Sequence, residues 1–297
     1  MKERQSNELK EANELLSLTN DYVFRRIFGE KNVDSLADFL SAVLDMPVEE
    51  LEELEVDDPN LHREHESGKG GELDVRVHTK SGEIVNIEIQ VNPEHSFRKR
   101  IAYYNARIFS GQLNKGFDYE RLYRTVSVVI TNFVLITENM HCINRFRWYN
   151  NEGVLLTDAQ EINTLELAKL PETDDGTKLW QWLKLLILRK EDEMEELAKD
   201  NNAMKNVIVT LREMSADEAE RRLAEAREKE ERDRRGAYIT GVIEGEARGE
   251  AHGIEIGEAR GEIRTKQDTA RRMKTKGFSI SDIADITGLT PDEIEKL

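Results

Sequence analysis

The stretch that most constrains this chain runs from Gly71 to Val91. Gly71-Glu72-Leu73-Asp74-Val75-Arg76-Val77 and Ile84-Val85-Asn86-Ile87-Glu88-Ile89-Gln90-Val91 both alternate apolar and polar residues, the period of half-buried strands. Lys80-Ser81-Gly82 lies between them, and a three-residue hairpin loop takes Gly at its left-handed last position. Thr79 then faces Glu83, Val77 faces Val85, Val75 faces Ile87 and Leu73 faces Ile89, so one side is wholly apolar. A two-residue loop would shift the register and mix the faces. On the polar side Asp74 falls opposite Glu88, and Glu72 opposite Gln90. Directly opposed residues have Cβ atoms roughly 4.5–5.5 Å apart. Two carboxylates at that distance repel unless a proton or a cation lies between them. A divalent metal is the simplest resolution, because hard cations take oxygen ligands.

The rest of the chain divides around this hairpin. Hydrophobic residues make up 38% and charged residues 35% of 297, which implies a compact core carrying a long, solvated helical region. Most aromatic residues lie between Tyr22 and Trp182, so the core is expected there. One cysteine, Cys142, excludes an internal disulfide and a Cys-rich zinc site and suits a reducing cytoplasm. The charged start lacks an apolar signal segment, and the apolar run at Leu179–Leu188 is too short to span a bilayer. The net charge of −17 argues against broad coating of DNA. Locally the balance reverses: between Phe97 and Arg124 stand Arg98, Lys99, Arg100, Arg107, Lys115, Arg121 and Arg124 against Asp118 and Glu120. That is either a solvated helix face or the basic flank that a phosphodiesterase site needs.

In chain order, Thr19 or Asn20 caps a short helix ending at Gly29. Asp21 in its first turn either favours the helix dipole or serves as a third acid. Asn32–Leu44 is an amphipathic helix, and a first strand region is expected around Leu61–His65. His62 and His65 share a helical spacing but have no third ligand. Helical patterning is expected over His95–Leu113, with Arg100, Tyr103 and Arg107 on one face. A buried strand at Val126–Leu135, short strands at Phe146–Trp148 and Glu161–Leu167, and a helix at Thr177–Glu196 follow. Glu191–Arg235 reads as solvent-exposed helix, supported by charge pairs three and four apart. Then glycines 241, 245, 249, 253, 257 and 261 recur every four residues. Each costs a helix about 1 kcal/mol relative to Ala, so the segment needs close packing against another helix or is a loose tether; a self-association element is the preferred reading. In the tail, Lys276-Gly277 closes one helix, Ser279 caps the next, and Thr290-Pro291 starts the last. The tail resembles a helix-turn-helix, but its acidic final turn suits a folded cap or protein contact better than a DNA-reading helix. The expected organisation is a domain over 1–190, a charged helical region with the glycine repeat over 191–264, and a small helical tail over 265–297.

The chain resembles the recombination-promoting nuclease and transposase family of bacteria, within the PD-(D/E)xK nuclease superfamily. The residues that carry the resemblance are Asn20-Asp21-Tyr22-Val23-Phe24-Arg25-Arg26-Ile27-Phe28-Gly29, Leu73-Asp74, Asn86-Ile87-Glu88-Ile89-Gln90 and Lys99-Arg100-Ile101-Ala102-Tyr103-Tyr104. Leu113, Gly116, Asp118-Tyr119 and Leu165-Glu166-Leu167 continue it. The fold implied is α/β: a restriction-endonuclease-like core, with a mixed central sheet flanked by helices, and a long helical C-terminal extension.

The resemblance also implies an activity, a metal-dependent DNA endonuclease linked to recombination, transposition or defence. Asp74 and Glu88, with the Ile89 carbonyl and Asp21 as further candidates, would hold Mg²⁺ or Mn²⁺. Gln90 stands where the superfamily motif has Lys; it can orient water or a phosphate oxygen but brings no charge. Arg100 is the candidate for the missing charge, and Tyr103 and Tyr104 are candidate substrate contacts. The expected partners are DNA and a second copy through the C-terminal helical region, without a membrane. The alternative is a weak or inactive nuclease-fold protein that binds nucleic acid or self-assembles.

Overall fold

Alternating apolar residues give the hairpin one face that must be covered, and the rest of the first unit is built to cover it. The computed structural model describes residues 14–51, 54–57, 75–113 and 118–297. Strands β1 (Glu55–Val56), β2 (Val75–His78), β3 (Ile84–Gln90), β4 (Thr125–Thr131), β5 (Ile143–Tyr149) and β6 (Leu155–Glu166) form one mixed sheet in the order β1-β2-β3-β4-β6-β5. β2 and β3 pair antiparallel with Val75 opposite Ile87 and Val77 opposite Val85. This is the register the three-residue loop dictates. The Thr79 amide donates to the Glu83 carbonyl at 2.9 Å, and Gly82 adopts φ +90°. A Cβ there would also lie 2.5 Å from the Tyr123 ring, so Gly82 is required on two counts.

β3 and β4 are parallel, as are β4 and β6. A parallel pair needs a crossover, and helix α3 (Phe97–Gly111) supplies it. Helix α1 (Asp21–Phe24) opens on Asn20, whose side chain accepts from the Val23 amide, and continues in wide π-type turns over Arg25–Lys31. The chain thus remains helical past Gly29. α2 (Val33–Leu44) follows. The expected strand at Leu61–His65, with His62 and His65, lies outside the described residues. The helix expected over Thr177–Glu196 is two, α4 (Lys178–Ile187) and α5 (Glu191–Leu197), because Leu188 turns extended at ψ 147°. α6 (Asn202–Ala216) and α7 (Glu218–Thr275) complete the main series.

The principal core lies on one side of the sheet. Val85, Ile87 and Ile89 of β3 and Val126, Val128 and Ile130 of β4 meet Phe24, Phe28, Phe39 and Trp182 there. Trp182 packs edge-on against Phe28 and Phe39, with centroids 6.0 and 5.7 Å away, and donates to Asp38 at 2.9 Å. Met194, Met204, Val207, Ile208, Leu211, Met214 and Ala224 belong to the same core. The first compact unit accordingly ends at Arg234, well past the boundary expected at residue 190. α6 and the start of α7 bury Met204, Val207, Ile208, Leu211, Met214 and Ala224 and leave Val209 and Leu223 exposed. α3 covers the opposite side through a smaller cluster of Phe97, Ile101, Val129, Leu135 and Ile136.

The second unit, Arg235–Leu297, contains the later part of α7 with α8 (Ile280–Thr287) and α9 (Pro291–Glu295). Ala270, Ile283 and Ile294 form its small core. Gly277 at φ +85° turns the chain out of α7, Ser279 caps α8, and Thr290 with Glu293 makes a capping box. All six glycines of the four-residue repeat lie in α7, and a Cβ at any of them would meet nothing within 4 Å.

Candidate active site

Alternation within β3 decides which side chains reach the site. With Val85, Ile87 and Ile89 committed to the main core, Asn86, Glu88 and Gln90 point to the other side of the sheet, beneath α3. Glu88 is 8% exposed and Gln90 9%. A carboxylate so placed loses hydration, and burial pushes the Glu88 pKa up; the Arg100 guanidinium opposes that shift without cancelling it. Arg100 stands on the first turn of α3. Its Nη2 donates to Glu88 Oε1 at 2.7 Å and to Gln90 Oε1 at 3.4 Å, and its Nη1 donates to Glu94 Oε2 at 2.8 Å. One guanidinium therefore serves two carboxylates and an amide. It also lies 4.8 Å from the centre of the Phe97 ring.

Gln90 is held at both ends of its amide. Its Nε2 donates to the Asn92 carbonyl at 3.0 Å and to Glu94 Oε1 at 3.4 Å. Asn92, 4% exposed, donates from Nδ2 to the Glu231 carbonyl at 3.0 Å and also to Glu231 Oε2. Burial raises the Glu231 pKa, the charge of Asp21 adds to the rise, and Arg234 and Asn92 oppose it. Asp21 lies at the head of α1. Its Oδ2 is 3.8 Å from Arg227 Nε of α7, and its Oδ1 accepts from the Tyr22 amide at 2.7 Å.

The chain matches the model of the PD-(D/E)XK nuclease family transposases over residues 18–240. It belongs to that family. The matched span begins just before α1 and ends within α7, so it includes the turns of α7 that meet Asp21 and Asn92. Membership of the PD-(D/E)XK nuclease family transposases places the protein in a nuclease and transposition-related class. No curated protein and no solved structure matches the chain. No described helix is long and apolar enough to cross a membrane.

Among the expected site residues, Glu88, Gln90 and Arg100 come together. Asp74 lies outside the described residues. Tyr103 is 61% exposed on α3, with its ring edge-on to Tyr104 at 5.4 Å; neither is placed against Glu88 by a described contact. Asp21 meets α7. Among the described residues no group of three or more His, Cys, Asp and Glu side chains is arranged to hold a metal. The Glu88 carboxylate, buried on β3, is nevertheless an oxygen donor of the hard class that Mg²⁺ takes, and the Ile89 carbonyl is of the same class. Sequence reasoning missed Glu94, Asn92 and Glu231. Glu94 was within reach, since it lies four residues past Gln90 and six before Arg100 in a tight turn. Glu231 is 139 positions from Asn92, and no local pattern signals such a contact.

Proposed function

We propose that this protein is a metal-dependent endonuclease that hydrolyses phosphodiester bonds in DNA during recombination, transposition or defence. The observation that carries the proposal is the buried Glu88 carboxylate beside Gln90, on a hairpin whose described register, Val75 opposite Ile87, is the one from which the expected opposition of Asp74 and Glu88 follows. Asp74 and Glu88 are the acids that would hold Mg²⁺, or Mn²⁺ in its place, with the Ile89 carbonyl and Asp21 as further oxygens. A bound metal at such a site lowers the pKa of water and offsets charge developing on a phosphate.

The chain's own residues do the rest. Gln90 orients a water or a non-bridging phosphate oxygen through its amide, without charge. Arg100 supplies the fixed positive charge that a Lys at position 90 would bring, because its guanidinium already spans Glu88, Gln90 and Glu94. Arginine suits this role because its fork contacts several oxygens at once. Tyr103 and Tyr104 lie one turn further along α3 and serve as contacts for the nucleic acid.

A second reading, a weakly active or inactive binding and assembly protein on the same fold, is favoured by two observations. The amide of Gln90 stands in the lysine position, and the glycine-lined face of α7 is exposed. Cleavage of supercoiled plasmid with Mg²⁺ or Mn²⁺ decides between them, comparing wild type, Asp74→Ala and Glu88→Gln. The endonuclease reading expects nicking by wild type and a loss of at least about 100-fold in both variants, as for removal of one strong transition-state contact. Cleavage that persists in both variants rejects this site, and none with either metal favours the second reading.

A further inference from the structure

α7 reaches the site with one face, and that face is polar. Glu220, Ala224, Arg227 and Glu231 stand at spacings of four, three and four, which places them on one side of a helix. Glu220 accepts from the Tyr22 hydroxyl and, at 3.2 Å, from Arg26 Nε. The Ala224 carbonyl accepts from Asn20 Nδ2 at 3.0 Å. Arg227 lies beside Asp21, and Glu231 ends the series on Asn92. The first three contacts hold α1, while the last holds the segment that leaves β3 two residues after Gln90. From there the bonds run without a break: Glu231 to the Asn92 side chain, the Asn92 carbonyl to Gln90, and Gln90 to Arg100, which holds Glu88.

From this relay we propose that Glu231 is a positioning residue for the nuclease site, fixing through Asn92 the amide of Gln90 and so the geometry of Arg100 over Glu88. The inference rests on the endonuclease reading for its kinetic consequence, but not for its structural one. The segment Val91–His95 leaves β3 without regular structure before α3 begins. Left to itself it would let the Gln90 amide rotate between Asn92 and Glu94. The Asn92 amide, caught by both the carbonyl and the carboxylate of Glu231, removes that freedom. Glu231 touches neither Glu88 nor Gln90, so its effect passes through Asn92.

The test compares full-length wild type with Asn92→Ala, Glu231→Ala and Glu231→Gln. Gln at 231 keeps an oxygen that can accept from Asn92, so it is the conservative rescue. Two readouts are taken: kcat and KM for plasmid cleavage with Mg²⁺, and amide hydrogen exchange across residues 88–94. Expected are a fall in kcat of about tenfold for Asn92→Ala and Glu231→Ala with KM little changed, near-wild-type values for Glu231→Gln, and faster exchange at 88–94 in the two alanine variants only. Small misplacements of a site group cost rates of this order. The Glu231 side chain is 25% exposed, so Glu231→Ala carries the test if Asn92→Ala does not fold. Unchanged exchange, an unchanged kcat in Glu231→Ala, or a Glu231→Gln as impaired as Glu231→Ala would overturn the proposal. If wild type cleaves nothing, the endonuclease reading fails and exchange alone decides: faster in the alanine variants upholds the positioning role, unchanged rejects it.

Discussion

Replacing Arg100 by Met should destabilise the first unit in a way that depends on pH. The substitution keeps most of the apolar stem and removes the charge between Glu88 and Glu94. Breaking a fully buried ion pair by removing one partner costs about 3–5 kcal/mol. Arg100 is one-quarter exposed and Glu94 three-tenths, so solvent relieves part of that, and about 2–3 kcal/mol at pH 7.5 is expected. For a unit of this size that corresponds to a fall in Tm of roughly 5–10 °C. The sign with pH follows from Glu88. Burial already raises its folded pKa, and losing Arg100 raises it further. A raised carboxyl pKa contributes stability that is full below the unfolded value and lost as pH rises through the folded one. The variant therefore loses more than wild type between about pH 4.3 and neutrality, and the gap should narrow on acidification to pH 4.5. Urea unfolding followed by the fluorescence of buried Trp180 and Trp182 measures this at both pH values. Adding Glu88→Gln to Arg100→Met removes the uncompensated charge and should recover at least half of the loss at pH 7.5. A destabilisation that is equal at the two pH values, or a double variant no better than Arg100→Met, would refute the argument.

Two further outcomes follow. Ala at positions 245, 249 and 253 should each stabilise α7 by about 0.8–1 kcal/mol, because no neighbouring atom opposes a Cβ there. Circular-dichroism melting measures the gain, and lower helicity or loss of self-association by sedimentation would instead show that the glycines are a contact surface. Glu161, 2% exposed, accepts from Arg147 Nε at 2.5 Å and from Arg124 Nη2 and Asn163 at 2.6 and 2.8 Å. Burial would raise its pKa, but Arg147, Asn163 and Arg124 together hold it below the usual carboxylate value. Its contribution is present above the unfolded pKa and disappears as pH falls through the folded one. Glu161→Gln should thus cost about 1–2 kcal/mol at pH 7, and the cost should shrink progressively on acidification below about pH 4.3 in denaturant titrations; a cost independent of pH down to acid unfolding would contradict the assignment.

What was legible in the sequence was what is local. The hairpin register followed from Lys80-Ser81-Gly82 and the alternation on either side, and it holds through Val75 opposite Ile87. The crossover helix, the cap at Ser279 and the helix start at Thr290 were likewise written in a few adjacent residues, whereas Thr19 and Asn20 were equal candidates for the first cap and the structure selects Asn20. Long-range burial was not. Glu191–Arg235 reads as solvated because its charges dominate any window. Yet Met194, Leu211 and Ala224 are buried because the far side of the sheet needs covering. β6 begins six residues before the expected Glu161, since Leu155–Gln160 alternates weakly and is held by β5 rather than by its own pattern. The site divides in the same way: Glu88, Gln90 and Arg100 share one strand-to-helix passage, whereas Asn92 meets a helix 139 positions away.

The unequal lengths of β4 and β6 have a consequence for how the sheet opens. β4 pairs with β6 only from Gln160 onward, so Leu155–Ala159 has β5 as its strand neighbour, and the ribbon extends about 17 Å past the end of β4 at the usual rise per residue. Trp148, Tyr149, Val154 and Leu156 are at least half exposed along it. A two-stranded ribbon with water on both faces has little apolar burial to lose, so it separates at a small free-energy cost. The central strands part only when the whole unit does. Among its described residues the first unit thus carries two tiers of kinetic protection: a quick-fraying arm around Asn150–Gly153, open to a protease, and a slow interior at Val126–Thr131 that keeps the Glu88 strand in place while the arm comes and goes.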